Sequence, residues 1–475
     1  MTEATTTVTV ARSSGSARRS VPVLLISMLY IVIILIDPIR KITGLPNSAE
    51  GVIYLITILI YLRLYISREQ VLNRPRYLPA VLAFLTAWCV LTAFVDQIPA
   101  GTAILGWSSY VFFVPLFYVG RDLMGDDQLA GRVLTACVVT GSVVAVGAII
   151  GFAVGSAAPR FLQPLVPAAG YHSFDTSSIY LAPSLFANAE EASEQLLLAF
   201  FAWLALMQMS ARPLRNKLAT ILGAVIAGGM IATARRTELV VAIGGVLCLI
   251  VVSSLAPFQG SDDQHSAERS AKVRLWASLA VIIIGSGALA VFLGAFRLLP
   301  FLTSGSPPER LSLMLSRPGS MLLAGQGPGT STQALNVVGA NSLYSANTQG
   351  LYREYVLNGR TFATVEGGFT KTWVELGLIG VVSYGCVFAS ALLPVTRRLG
   401  RLDPVGRALL ILAFALGVIF LKGHQSLDDP LIQPLFWICT GATWARICGR
   451  RPRRTIRPTH RGDLPSPRAR RHRVG

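Results

Sequence analysis

Long apolar segments alternate with shorter polar segments along most of this chain. Apolar runs of about 17–22 residues recur between Val21 and Trp444, and this length is enough to cross the hydrocarbon core of a bilayer. The pattern predicts an all-α, polytopic integral membrane protein with about twelve transmembrane helices. The predicted spans are 21–37, 51–66, 78–95, 102–119, 133–154, 194–210, 218–233, 238–255, 275–296, 373–394, 408–424 and 431–446.

The composition agrees with the membrane class. Of the 475 residues, 52% are hydrophobic and 14% are charged, whereas a water-soluble domain carries roughly 25% charged residues. The six cysteines fall in apolar spans or at a cytoplasmic end. They therefore predict neither a disulfide framework nor a metal site, and the sequence predicts no cofactor.

The net charge of +18 does not indicate a nucleic-acid partner. Many of the arginines belong to the basic tail 447–475, and most other cations lie in short loops that alternate along the chain. This is the positive-inside pattern, which predicts a multi-pass membrane protein with both termini in the cytoplasm. The tail is also suited to contact anionic membrane lipids.

The charge pattern divides the chain into five regions. They are a cytoplasmic tail (1–20), nine spans (21–296), a large extracytoplasmic loop (297–372), three spans (373–446) and the basic cytoplasmic tail (447–475). The large loop is polar and contains the run Gly325-Gln326-Gly327-Pro328-Gly329. Long loops in compact proteins are usually functional or disordered, so we expect a site there.

Cations on the outer side oppose the orientation signal and need another explanation. Arg235 and Arg236 lie in the short outer turn 233–238, and Arg40 and Lys41 follow the first span. The arginines of the turn either pair with the neighbouring Glu238 or bind an anionic ligand such as a phosphate group.

Two other outer segments contain candidate polar groups. The adjacent carboxylates Glu190 and Glu191 lie beside a span, where they either cap a helix or face a cavity, and we favour the cap. His424 lies in the predicted turn between the last two spans, where it either joins a site or bonds to a neighbour.

Four segments, in this order, resemble the O-antigen ligase and O-antigen polymerase superfamily of bacterial envelope enzymes. Phe186-Ala187-Asn188-Ala189 is similar to its Phe-x-Asn-Pro motif, and Thr233-Ala234-Arg235-Arg236-Thr237 is similar to its Ser-x-Arg-x turn. Arg310 followed by Gly325-Gln326-Gly327-Pro328-Gly329 is similar to its arginine and Gly-x-Gly-x-Gly turn. Glu375-Leu376-Gly377-Leu378-Ile379-Gly380 matches its Glu-x-Gly-x-x-Gly.

The resemblance covers roughly residues 180–445 and implies a GT-C-like membrane fold. It implies an inverting, metal-independent transferase that moves or polymerises a polyprenyl-pyrophosphate-linked glycan onto a glycan or lipid acceptor. Ala189 replaces the family's proline, and Glu366 and Gly367 stand where ligases place a His-Asn pair. The ligase histidine therefore has no counterpart, which favours a polymerase or a transferase with another acceptor.

The chemistry of such a reaction suggests roles for particular residues. Departure of a diphosphate builds negative charge, which positioned arginines stabilise. Arg235 and Arg310 are our main candidates for this role, and Arg236 and Arg317 are secondary candidates. Glu366 is the expected general base, or alternatively a cap for the span that starts near Trp373. Further candidates for acceptor or donor contacts are Asn188, Glu190, Glu375 and His424.

A transporter or flippase of a lipid-linked saccharide is the main alternative. Such proteins more often place ionisable residues within spans and contain repeated halves. Here the spans are mostly apolar apart from Arg63, and charges gather at the outer ends. This distribution favours a reaction at the outer membrane surface over transport across the membrane. A purely structural scaffold would leave the outer arginines without a role.

Overall fold

The three-dimensional structure is a computed structural model of the whole chain. The residues it describes are 14–45, 47–67, 77–123, 127–164, 171–174, 177–180, 182–186, 188–209, 216–255, 319–330, 341–343, 352–357, 360–365, 368–399, 402–422 and 432–448.

Every predicted span except 275–296, which lies outside the described residues, coincides with helical structure. The helices are α1 Ser14–Thr43, α2 Gly51–Ser67, α3 Leu78–Val95, α4 Ala100–Trp107, α5 Leu116–Leu123, α6 Asp127–Val154, α7 Ala189–Met207, α8 Asn216–Ala232, α9 Arg236–Leu255, α10 Gly319–Ala324, α11 Gly368–Thr396, α12 Pro404–Lys422 and α13 Gln433–Cys448. Helix α1 begins inside the predicted tail 1–20, and α11 begins inside the predicted loop 297–372.

Within the described residues, four helical segments are both long and apolar enough to cross a membrane. They are Leu78–Val95, Ala100–Asp122, Asp127–Ala157 and Gly368–Thr396. Shorter apolar helical segments are Gly51–Arg63, Leu218–Ala232, Thr237–Val252 and Pro404–Ile419. The helical membrane class is therefore supported, and the count of twelve spans remains a prediction.

The predicted span 102–119 is not one continuous helix. Helix α4 ends at Trp107, a π-helical segment runs from Ser108 to Phe112, and α5 begins at Leu116. Pro115 explains the interruption, because proline has no backbone N–H and its ring clashes with the preceding turn of a helix. π-Helical turns are often found at functional sites.

Strands occur in the two long loops, so the expectation of an all-α chain holds for the apolar segments only. The strands are β1 Tyr171–Phe174, β2 Ser177–Tyr180, β3 Asn341–Leu343, β4 Tyr352–Leu357 and β5 Arg360–Val365. β1 pairs with β2, and β4 lies between β3 and β5; all pairs are antiparallel. Leu357 pairs with Arg360, and Asn358-Gly359 between them is a dipeptide favoured in two-residue hairpins.

Helix α7 forms the centre of the described helices. All of its residues except Glu190 and Glu191 are buried, as expected for a helix that is apolar on every face from Leu196 to Met207. It packs against α6, α8 and α12. The half-buried carboxylates of Glu190 and Glu191 therefore mark the end of α7 at which the buried core meets segments that the sequence predicts on the outer side.

Contacts between helix ends agree with the predicted alternation of the spans. Arg446 near the end of α13 forms ion pairs with Asp127 at the start of α6 and with Asp403 just before α12. The charge pattern assigns all three residues to the cytoplasmic side. The ends that the sequence predicts on one side thus lie together.

Close packing of α5 against α13 depends on two glycines. A Cβ at Gly441 would overlap the carbonyl oxygen of Phe117, and one at Gly120 would overlap that of Ile438. Small residues allow helix backbones to approach in this way.

We expect Gly441→Ala to destabilise the protein by about 1–3 kcal/mol through overpacking, measured as a lower melting temperature in detergent. Gly417→Ala is the matched control, since nothing lies within 4 Å of its Cβ position; an equal loss in both variants would contradict this account.

Candidate functional site

The side chain of Asn188 caps the N-terminus of α7, and Glu190 and Glu191, for which the sequence favours a cap role, lie in the first turn. The side-chain Oδ1 of Asn188 accepts hydrogen bonds from the backbone N–H groups of Glu190 and Glu191, both at 2.9 Å. The Nδ2 of Asn188 donates to Oε1 of Glu191 at 2.7 Å. Two acidic residues in the first turn also interact favourably with the helix dipole. Asn188 and Glu191 are therefore occupied by the cap, whereas Glu190 points its carboxylate elsewhere.

Arg235 lies in a tight turn between α8 and α9 and faces this cap. The turn is closed by Ala234, whose φ of 53° is in the left-handed region, and Ala234 packs against Ala189 at the start of α7. A guanidinium nitrogen (Nη2) of Arg235 lies 3.4 Å from Oε2 of Glu190. The two segments that separately resemble family motifs thus meet in space. The ion pair of Arg235 is with Glu190, a partner that the sequence did not predict.

The Arg235–Glu190 pair is suited to exchange with a ligand. The side chains are 27% and 37% exposed, and ion pairs at such exposure contribute only about 0–1 kcal/mol. A diphosphate carries more charge and accepts bidentate hydrogen bonds from a guanidinium. An anionic ligand arriving here can therefore replace Glu190 as the partner of Arg235 at little energetic cost.

The outer cations Arg40 and Lys41 are buried and have protein partners. Nη1 of Arg40 contacts the carboxylates of Asp37, at 2.8 Å, and Glu50. Lys41 Nζ donates to the backbone carbonyl oxygens of Phe161 and Ser184, at 3.3 and 3.1 Å. These contacts explain how two cations can lie on the predicted outer side, where the positive-inside rule disfavours them. The bonds of Lys41 also connect the end of α1 to the segment that leads to Asn188.

Burial lowers the pKa of Lys41 from its ordinary 10.5 to about 8, against the opposing effect of the nearby carboxylates of Asp37 and Glu191. Below pH 8 the folded protein holds a buried ammonium, and the resulting stability penalty is fully present. As pH rises from 8 to 10.5 the folded state releases its proton before the unfolded state does, and the penalty of about 3 kcal/mol is removed. We therefore expect the melting temperature of the wild type to rise relative to Lys41→Met over this interval. A difference that stays constant with pH would contradict the lowered pKa.

A second polar region forms where the glycine-rich turn 325–330 docks onto α11. Helix α11 is interrupted at Gly377, whose φ of 67° and ψ of −170° are accessible essentially only to glycine. Gly325, Gly327 and Gly329 also have positive φ values of 82°, 98° and 82°. The turn is buried from Gly325 to Thr330, and Trp373 Nε1 donates to the Leu322 carbonyl oxygen at 3.0 Å.

Glu375 lies at the centre of this junction and is completely buried. Its Oε2 accepts hydrogen bonds from the Tyr110 hydroxyl at 2.9 Å and from the Gly329 backbone N–H at 3.0 Å. Tyr110 belongs to the π-helical segment, so the irregular backbone there positions a hydroxyl toward α11. The third and fourth family-like segments, 325–330 and 375–380, therefore also meet in space.

Lys371 is a buried cation one helical turn before Glu375. Its Nζ lies 5.4 Å from the centroid of the Tyr110 ring, a distance at which a cation and an aromatic face attract each other. Gln433 at the start of α13 donates from Nε2 to the Ser109 carbonyl oxygen. The junction thus joins the glycine turn, the π-helical segment, α11 and α13 through buried polar contacts.

The remaining predicted site residues are not described. Arg310, Arg317, Glu366 and His424 lie outside the described residues, and so does the side chain of Arg236, the first residue of α9. Their roles stay predictions.

Sequence reasoning overlooked Tyr110 and Lys371 as structural partners, and it singled out Lys41 without identifying its partners. The available signal was the rarity of lysine: among the positions 41, 217, 272, 371 and 422, the two at the predicted outer side next to candidate motifs are buried. A buried lysine needs partners, so a lone lysine beside an apolar span deserved more weight.

No protein-family model matches this sequence, and no curated protein is significantly similar to it. The likeness to a family therefore rests on the four sequence motifs and stays a prediction.

Proposed function

We propose that this protein is a membrane glycan transferase of the O-antigen ligase and polymerase type. It transfers or polymerises a polyprenyl-pyrophosphate-linked glycan at the outer face of the bacterial cytoplasmic membrane. The observation that carries the proposal is the Arg235–Glu190 pair at 3.4 Å, which holds a partly exposed guanidinium where two family-like segments meet.

The proposed reaction breaks one bond and forms another at the same carbon. The acceptor hydroxyl oxygen attacks the anomeric carbon of the donor glycan and forms the new glycosidic bond. The bond from that carbon to the phosphate oxygen breaks, and the electron pair leaves with the polyprenyl diphosphate. Attack opposite to the leaving group inverts the configuration. The acceptor proton passes to a general base, for which Glu366 is our candidate.

The cations have one task in this scheme. The diphosphate gains negative charge as the bond breaks, and Arg235 is positioned to stabilise that charge. Arg310, Arg317 and Arg236 are the proposed further contacts to the diphosphate, by resemblance to the family. Asn188 and Glu190 act locally, the first by capping α7 and the second by holding Arg235 before the donor binds.

A transporter or flippase remains the second candidate, and one feature favours it. Helix α11 is broken at Gly377 beside the buried Lys371 and Glu375, and broken helices with ionisable groups are typical of transporter substrate sites. In transporters the carbonyl groups at such a break face a substrate or ion. Here the carbonyls before the break accept hydrogen bonds from the glycine turn and from Trp88, so the transferase is the better-supported proposal.

The proposal is tested with the purified full-length protein in proteoliposomes. The donor is a fluorescent polyprenyl-pyrophosphate oligosaccharide, EDTA is present, and glycan and lipid acceptors are supplied in turn. Longer glycans on the lipid identify a polymerase, and glycan on a separate acceptor identifies a ligase. Donor that crosses the bilayer but stays chemically unchanged with every acceptor would overturn the transferase and favour the flippase.

A further inference from the structure

The break in α11 is closed by groups from outside the helix. The non-helical backbone at Gly377 interrupts the regular ladder of hydrogen bonds, and backbone carbonyls buried without partners are costly. The carbonyl oxygens of Val374 and Glu375 accept from the N–H groups of Gln326 and Gly327, both at 2.9 Å. The carbonyl oxygen of Leu376 accepts from Trp88 Nε1, also at 2.9 Å. The glycine turn therefore takes over part of the hydrogen bonding of the broken helix.

Steric fit restricts this arrangement to glycine on both sides. A Cβ at Gly325 would overlap the Glu375 carbonyl, and a Cβ at Gly377 would overlap the Leu323 carbonyl. A Cβ at Gly329 would overlap the Thr102 carbonyl of α4. Backbone thus contacts backbone directly, and the turn fits only when α11 is broken at Gly377.

One side chain joins the two parts. The Oε2 of Glu375 accepts from the Gly329 N–H of the turn and from the Tyr110 hydroxyl of the π-helical segment. Burial increases the effect of both hydrogen bonds. Because Glu375 is completely buried, it does not reach a substrate in this arrangement.

We propose that Glu375 is a positioning residue that fixes the glycine turn of the predicted large loop onto α11. This assigns Glu375 a role different from the acceptor or donor contact that the sequence predicts. Its importance for catalysis rests on the proposed function, because the same loop carries Arg310 and Arg317. The docking itself does not depend on that function.

Hydrogen–deuterium exchange of the purified full-length protein tests the docking. In the wild type, the amides of Gln326, Gly327 and Gly329 are expected to exchange slowly. Glu375→Leu removes the acceptor and is expected to speed exchange of the peptide containing residues 325–330 by about tenfold to a hundredfold. Glu375→Gln is expected to stay close to the wild type, since both donors bond to one oxygen and the amide oxygen can accept both.

Glu194→Leu serves as the control, because it removes another buried carboxylate, on α7, a helix that is not among the elements shown above to hold the turn. It is expected to leave exchange of the turn unchanged. Exchange in Glu375→Gln as fast as in Glu375→Leu would overturn the hydrogen-bonding role, and unchanged exchange in folded Glu375→Leu would do the same. If Glu375→Leu fails to fold, rapid exchange of the turn in the wild type still overturns the proposal. These exchange measurements need no glycan, so they test the docking of the turn independently of the transferase reaction. If Glu375→Leu loses transfer and Glu375→Gln retains it, docking of the turn is required for transfer.

Discussion

Replacement of Arg235 by alanine is expected to lower the rate of glycan transfer by about 10²- to 10³-fold. This is the loss typical of removing one group that stabilises charge in a transition state. Arg235 is chosen because its side chain is described and forms an ion pair with Glu190 at the start of α7. The expected loss falls mainly on kcat, because charge on the diphosphate grows as the bond breaks. The rate is measured with the purified variant and the fluorescent donor.

Three variants separate this role from a structural one. Arg235→Lys keeps the charge but not the bidentate geometry and is expected to retain part of the activity. Glu190→Gln removes the ion-pair partner at 3.4 Å and is expected to remain active, since the donor replaces Glu190. Arg398→Ala removes an exposed arginine from the predicted cytoplasmic side and is expected to match the wild type. If Glu190→Gln loses as much activity as Arg235→Ala, the pair is structural and the proposed role of Arg235 is wrong.

Gly377→Ala is expected to displace the glycine turn from α11. The φ of 67° and ψ of −170° at Gly377 cost a residue with a Cβ about 1–3 kcal/mol, and the Cβ would also overlap the Leu323 carbonyl. A regular helix at this position avoids both penalties but removes the break to which the turn binds. We therefore expect a lower melting temperature, rapid exchange of residues 325–330 and more than about tenfold slower transfer.

A matched glycine on the same helix provides the control. Gly385 has open space around its Cβ position, so Gly385→Ala is expected to leave transfer unchanged and to stabilise the helix slightly. Wild-type exchange of the turn in Gly377→Ala would contradict the coupling between the break and the turn.

Features set by neighbouring residues could be predicted from the sequence. Apolar length alone located the long described helices but neither α10 nor the break within 102–119; it is informative because a membrane helix satisfies its own backbone hydrogen bonds. The cap at Asn188 was predictable because it involves residues only two and three positions away. The interruption before α5 and the strands on either side of Asn358-Gly359 also had local signals, in Pro115 and in the dipeptide itself.

Contacts between distant residues could not be predicted in the same way. The Tyr110–Glu375 hydrogen bond joins positions 265 residues apart, and no periodicity within a span states which other span it faces. The same holds for Arg235, for which the sequence offered the neighbouring Glu238, whereas its ion pair is with Glu190 on another helix. Motif resemblance selected these segments as candidates, and only the structure showed that they meet in pairs.

The most direct test of the transferase is to count the polyprenyl diphosphate released for each glycosidic bond formed. Purified protein is mixed with excess donor and acceptor, and the free lipid diphosphate and the elongated or transferred glycan are quantified by mass spectrometry. The proposed reaction predicts one released lipid diphosphate for each new bond in the wild type, and about 10²-fold less of both in Arg235→Ala. Donor that binds or crosses the bilayer without releasing lipid diphosphate would contradict the transferase.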